Sequence, residues 1–203
     1  MEKRPDTNLC LARSRPSAGS LWWRTVRIAV GDIRLFIEVP DWPGRFEAER
    51  AVLERVLGNW LSGGIHHVGA TSIHGLASKP IIDMIAGVRD LDEAWAAFEP
   101  LAEHSYIYAP HRPRIAHHFS KPSPRLSEMT HNLHLTEPGS DLWRERLAFR
   151  DALRNDSRLV AEYQALKMRL AEMHPNDINA YTVGKRAFVT RVLASAGLQP
   201  GRR

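Results

Sequence analysis

Cysteine is almost missing from this chain: Cys10 is the single thiol in 203 residues. One thiol excludes an intramolecular disulfide framework and any site built from several cysteines, and it points to a reducing cytoplasm. Long apolar runs are missing too. No stretch approaches the roughly 18 residues a membrane-spanning helix needs, which excludes an integral membrane protein. Residues 1–20 contain no apolar h-region, so they are not a secretory signal. Their Arg/Ser content is that of a transit peptide, but Glu2 and Asp6 argue against one; the segment reads as a polar, flexible tail. There is no run of five Lys/Arg, no interleaving of aromatics with basic residues and no recognition-module signature, and all three absences speak against a nucleic-acid partner. A G-x-x-x-x-G-K-[ST] loop is absent, which disfavours a kinase. No internal repeat or low-complexity block occurs.

What is present is an ordinary globular balance, with 43% hydrophobic and 25% charged residues. That suits one domain with a substantial core. The net charge of +5 and a pI near 9.7 mean either a basic solvated surface or a phosphate-bearing partner.

Periodicity organises the chain. Val26, Ile28 and Val30, then Gly31-Asp32, then Ile33, Leu35, Ile37 and Val39 predict a hairpin with a type II′ turn within residues 21–39. Phe46, Leu53, Val56, Leu57 and Trp60 predict an amphipathic helix over 44–61, ended by Ser62-Gly63-Gly64. Residues 65–68 read as a short strand and 69–80 as a loop rich in Gly, Ser and Thr. Residues 80–88 form a nearly continuous apolar run, hence a central strand covered on both faces. Asp90 or Asp92 caps a helix whose face is Leu91, Trp95, Phe98 and Leu101. Strands are expected over 106–108, 116–119 and 129–135, with a turn at 121–125. Three helices are expected over 140–154, 157–173 and 177–195, and the class is α+β.

Three features carry chemistry. Gly69-Ala70-Thr71-Ser72 follows a strand with small residues, amides and hydroxyls able to cradle a phosphate. Asp83 lies inside the apolar strand, where a carboxylate must face a cleft or an internal partner, and Lys79 just before it either offsets phosphate charge or is solvated. Two helices carry cations on apolar faces. Lys185 falls among Ile178, Tyr181, Phe188 and Val192, and either reaches an anion or snorkels outward. Arg150 falls with Arg146 among Leu142, Phe149 and Leu153, and either clamps a phosphate or pairs with Asp151 or Glu162.

The stretch Ile65-His66-His67-Val68-Gly69-Ala70-Thr71-Ser72-Ile73-His74-Gly75-Leu76-Ala77-Ser78-Lys79-Pro80-Ile81-Ile82-Asp83 closely resembles the signature of the GrpB family, H-x-G-S-T-S-V-P-G-L-x-x-K-P-I-I-D. Further blocks match in order: Glu38-Val39-Pro40-Asp41-Trp42-Pro43 with Phe46, His131-Asn132-Leu133-His134-Leu135, Phe149-Arg150-Asp151 with Leu153-Arg154, and Tyr181-Thr182 with Lys185 and Phe188-Val189. The resemblance covers about 37–195 and makes 1–20 a tail, 21–39 an extra hairpin and 37–195 the family domain. It implies a nucleotidyltransferase-like, polymerase-β-type mixed sheet flanked by helices, with a three-helix C-terminal segment. The hairpin would cover a sheet edge or mediate a homodimer.

The implied chemistry is nucleotidyl transfer from an NTP to an unknown acceptor, with Mg or Mn ions held by strand carboxylates. Asp83, His131 and His134 are then the candidate catalytic residues, with Asp83 and His118 toward a metal. Gly69, Thr71, Ser72, Lys79, Arg150, Lys185 and Tyr181 are the candidate phosphate or nucleotide contacts. The sequence departs from the scheme at three places. The Asp-x-Asp pair is incomplete, because residues 81 and 85 are both Ile; Ala70 replaces the loop Ser; and His74 replaces a Pro. A lone carboxylate holds Mg²⁺ weakly. His131 and His134 face opposite sides of a strand, as do His117 and His118, so one of each pair can share the face of Asp83. Such a His/Asp set suits Zn, Mn or Ni better than Mg. The alternative is a degenerate module that binds a nucleotide or phosphometabolite without turnover.

Overall fold

The computed structural model describes residues 26–30, 33–37, 41–125 and 127–199. The expected tail with Cys10, the Gly31-Asp32 turn and Glu38-Val39-Pro40 lie outside the described residues.

Two strands, β1 (Val26–Val30) and β2 (Ile33–Ile37), pair antiparallel with Val30 opposite Ile33. Then come α1 (Trp42–Leu57), β3 (Leu61–Val68), a 3₁₀ turn at Ala70–Ser72, and β4 (Ile82–Val88). A 3₁₀ turn at Glu93–Ala97 leads into α2 (Phe98–Glu103). After it come β5 (Ile107–Tyr108), β6 (His117–Lys121) and β7 (His131–Thr136). The chain closes with α3 (Asp141–Asn155), α4 (Ser157–Met173), α5 (Ile178–Gly184) and α6 (Arg186–Ser195).

Strands β3 to β7 form one mixed sheet in the order β3-β4-β7-β6-β5, in which β4 and β7 run parallel and the other pairs antiparallel. Alternation along β4 builds two layers. Ile82, Met84, Ala86 and Val88 point to one face, where they pack with Trp42, Phe46, Leu53 and Leu57 of α1 and Leu101 of α2. Each fully buried Ile, Met, Val or Leu among them contributes roughly 1.5–3 kcal/mol. Asp83 and Ile85 point to the other face, toward the C-terminal helices, where Ile73, Leu76, Leu153, Tyr163, Phe188 and Val192 form a second core.

Two expectations are corrected. The first helix ends at Leu57, and Ser62, Gly63 and Gly64 belong to β3, where a bulge lies between Leu61 and Gly64. A Cβ on Gly63 would lie 2.6 Å from Pro138 Cγ, and one on Gly87 2.8 Å from Gly63 Cα, so the glycines serve close strand packing rather than a helix stop. The last helix is two, α5 and α6, broken at Lys185 just after Gly184, the poorest helix former in the segment. Among the described residues, β1 and β2 form a sheet of their own and pair with no strand of the five-stranded sheet. Leu35 is instead fully buried against Ala77, Leu170, Ala171 and Tyr181. Asp90 is the cap after β4, accepting from the amides of Asp92 (2.7 Å) and Glu93 (2.9 Å). No helix among the described residues is long and apolar enough to cross a membrane.

Candidate functional site

The chain must reverse after β3 to return as β4, and it does so at Gly69. Its φ of 69° is left-handed, and a Cβ there would stand 2.9 Å from Asp83 Cβ and closer still to the carboxylate. Glycine is therefore required twice, for conformation and for space. The turn that follows is tied internally. Ser72 Oγ donates to the Gly69 carbonyl (2.7 Å) and Thr71 Oγ1 to the Ile81 carbonyl (3.1 Å). The Thr71 oxygen is then left to accept from His67 Nε2 (2.9 Å), which fixes His67 in one neutral tautomer. Burial first, then the charges of Arg154 and Arg150, push the His67 imidazole down to about 4.

The turn separates two cavities. The first, of about 200 Å³, lies between the sheet and the C-terminal helices and is lined by Gly69, Thr71, Lys79, Asp83, Tyr181 and Lys185, all expected from sequence. Ser78, Asn132, Glu145, Arg146, Tyr163 and Lys167 join them. Asp83 Oδ1 accepts from Asn132 Nδ2 (2.9 Å), its register neighbour on β7. Lys185 Nζ sits 4.3 Å above the Tyr181 ring. Lys167, 3% exposed, donates to the Ala77 carbonyl. Burial is the main force on the lysines. It lowers Lys79, and with the charges of neighbouring cations it takes Lys185 down to about 8 and Lys167 down to about 7; Asp83 pulls each the other way. Ser78 Oγ is buried with no hydrogen-bond partner among the described residues.

Not every candidate reaches this cavity. Ser72 and Arg150 line the second one instead, on the far side of the turn. Arg150 pairs with Asp151 (2.7 Å) and donates to the His67 carbonyl (3.3 Å), while Glu162 is held by Arg191. His131 faces the opposite side of the sheet from Asp83, 3.9 Å from Glu49 of α1. His118 and His134 do share the face of Asp83, where they stack on each other at 4.5 Å. Both are kept neutral by burial above all, and His118 Nε2 is buried without a partner among the described residues.

This donor set does not fit a pair of divalent ions. Asp83 is the one carboxylate β4 supplies, its neighbour on β7 is an amide that donates to it, and no three His, Cys, Asp or Glu side chains converge among the described residues.

Lys167, Asn132, Arg146 and Ser78 are, with Glu145 and Tyr163, among the lining residues that the expected site lacked. Lys167 carries a legible signal, because it shares the inward face of α4 with Tyr163 and Leu170. Asn132 becomes legible only once β7 is known to lie beside β4.

A family model described as GrpB protein matches residues 32–195. Glutamate-rich protein GrpB of Alkalihalophilus pseudofirmus is 33% identical over 169 residues, which are 80% of this chain and 95% of that protein. UPF0157 protein YqkA of Bacillus subtilis is 32% identical over 157 residues, 77% of this chain but 45% of that protein, so the chain spans under half of that relative. Among solved structures, conserved protein GrpB from Enterococcus faecalis superposes with a TM-score of 0.71 at 28% identity, covering 80% of this chain and 96% of that one. A family model that spans the sheet and all the C-terminal helices, and a relative matched over nearly its whole length, place this chain in the GrpB family.

Proposed function

We propose that the protein binds a phosphorylated small molecule, a nucleotide or phosphometabolite, in the cavity between β4 and the C-terminal helices. One observation carries the reading. Four cations, Lys79, Arg146, Lys167 and Lys185, line a single small cavity with two carboxylates, Asp83 and Glu145. Buried lysines are costly when they have no anion beside them. A phosphate dianion would match the two excess charges that the cavity carries once Lys167 and Lys185 are fully protonated, and give the Ser78 hydroxyl a partner. Gly69 and Thr71 leave room for phosphate oxygens at the backbone.

A second reading is nucleotidyl transfer to an unknown acceptor on a nucleotidyltransferase-like fold, as the signature resemblance implies. Its support is the placement of Asp83, which faces the same cavity from the central strand beside Gly69 and Lys79.

Thermal unfolding with pyrophosphate, AMP and ATP, each with EDTA, Mg²⁺ or Mn²⁺, tests both readings. A ligand at a hundred times its Kd adds about 2.7 kcal/mol. The binding reading expects metal-independent stabilisation that Lys185→Met removes and Asp83→Asn preserves or strengthens, because a negative charge has left the cavity. Stabilisation that requires the metal and disappears in Asp83→Asn favours transfer. No stabilisation by any of the three ligands overturns both.

A further inference from the structure

The second cavity has a different chemistry and nothing assigns it. It encloses about 600 Å³ between α1, β3, the Gly69–Gly75 turn and α3. That lies within the roughly 300–1,000 Å³ of small-molecule sites. One wall is apolar and aromatic. Phe46 and His67 stack at 4.8 Å with an interplanar angle of 12°, and Trp42 lies beside them. Arg50, over the Phe46 ring at 5.9 Å, and Arg150 and Arg154, one turn apart on α3, complete the lining.

The guanidiniums of Arg150 and Arg154 are held in place by backbone. Arg154 donates through Nε (3.1 Å) and Nη2 (3.0 Å) to the Ser72 carbonyl, and Arg150 reaches the His67 carbonyl. A guanidinium has five donors, so each keeps others for a ligand. Asp151 balances Arg150, while Glu47 at the outer rim is paired with Arg50 (2.5 Å). His67 stays neutral and adds no charge. The cost of placing Arg154 beside Arg150 appears as a lowered Arg154, from burial first and from Arg150 second. An anion between them relieves that repulsion.

We propose that this second cavity binds a planar aromatic anion, with its ring system against the Trp42, Phe46 and His67 wall and its charged group on Arg150 and Arg154. The inference stands apart from phosphate binding in the first cavity, because the two share only Thr71 of their lining.

The test uses two fluorescent probes with the same ring system, anilinonaphthalenesulfonate and its sulfonate-free parent phenylnaphthylamine, titrated into the full-length folded protein. One sulfonate site is expected, bound about tenfold more tightly than the neutral parent. Arg150→Gln and Arg154→Gln, singly, should each take most of that advantage away. Neither should change the affinity for the neutral parent, which shows that the cavity is intact. Lys185→Met, across the turn, should leave both probes unaffected. For wild type alone, added salt should weaken the sulfonate and spare the parent. Equal affinity for the two probes, a sulfonate site indifferent to both arginine variants, or one abolished by Lys185→Met would each overturn the assignment.

Discussion

Replacing Lys167 by Met tests the electrostatics of the first cavity without knowledge of the ligand. Lys167 is nearly fully buried and its ammonium is pushed down to about 7, from an ordinary 10.5, by burial first and then by Lys185 and Lys79. The sign follows from proton counting. Between about pH 7 and about pH 10 the unfolded chain holds a proton on this lysine that the native state has largely released, so native stability rises with pH. Integrating a shift of that size from about pH 7 to about pH 9 gives about 2 kcal/mol of added stability from this lysine alone. Lys185, pushed down to about 8, acts with the same sign in the same window. The histidines contribute little there and equally in wild type and variant: His67, His118, His131 and His134 are all shifted downward and neutral in the native state, while the unfolded chain holds only about a quarter of a proton on each at about pH 7. The assay is urea unfolding at constant temperature and low salt, in an anion-poor buffer, at several pH values. Wild type should gain stability across the window. Lys167→Met should keep a clearly shallower slope, because Lys185, lowered by burial first and then by Lys79 and Arg146, still titrates in the window. Its absolute stability will be lowered by the abandoned Ala77 carbonyl, by roughly 1–3 kcal/mol, which is why the slope and not the intercept is read. Saturating pyrophosphate should flatten the wild-type slope, since a bound anion returns both lysines toward their ordinary range. Equal slopes in wild type and variant, without ligand, would refute the reasoning.

Gly69→Ala forces a left-handed residue and pushes a methyl into Asp83, so unfolding should show a loss of roughly 2–3 kcal/mol. Glu49 accepts from Tyr106 Oη (2.9 Å) and Lys121 Nζ (2.7 Å); burial pushes its carboxyl up, but these bonds hold it below its ordinary 4.5. Glu49→Gln should therefore cost about 2–3 kcal/mol at neutral pH, a difference that shrinks as the pH falls through the carboxylate range in acid titrations of stability. Leu35→Ala should cost about 2–4 kcal/mol if the hairpin packs on α4 and α5; a surface-like loss below about 0.5 kcal/mol by urea unfolding would detach it from that core.

How much of this was legible in the sequence turns on parity and on what covers each face. Parity is local. Alternation alone separated His131 from His134 and His117 from His118, and the spacing of Tyr181, Lys185 and Phe188 placed a lysine on an inward face. What alternation lacks is the identity of the layer above. Both faces of β4 are apolar, so nothing in residues 82–88 says that the even residues meet α1 and that Asp83 meets the C-terminal helices. Strand order is equally silent. One neighbour of β4 is β7, 43 residues further along from the end of one strand to the start of the next, and only that pairing sets Asn132 beside Asp83. Helix breaks depend on a balance the pattern does not show: a glycine packed against Leu170 tips one expected helix into two.

The arginines show the same limit more sharply. Arg146 and Arg150 are one helical turn apart and share a stripe with Phe149 and Leu153, so a sequence pattern assigns them one role. In the fold, α3 is tied to the β3–β4 reversal by Arg150 at the His67 carbonyl and Arg154 at the Ser72 carbonyl. Arg146 falls on the Asp83 side of the turn, and Arg150 on the side of His67 and Ser72, joined by Arg154. A rise of about 5.4 Å per turn is comparable to the thickness of one backbone strand with its side chains removed, which is what Gly69 and Ala70 provide. The small residues of the signature thus have a consequence beyond the phosphate contact proposed for them. They keep the turn thin enough for one helix to reach a cavity on either side of it, and a bulkier turn should weaken ligand binding in both cavities at once while leaving the sheet intact.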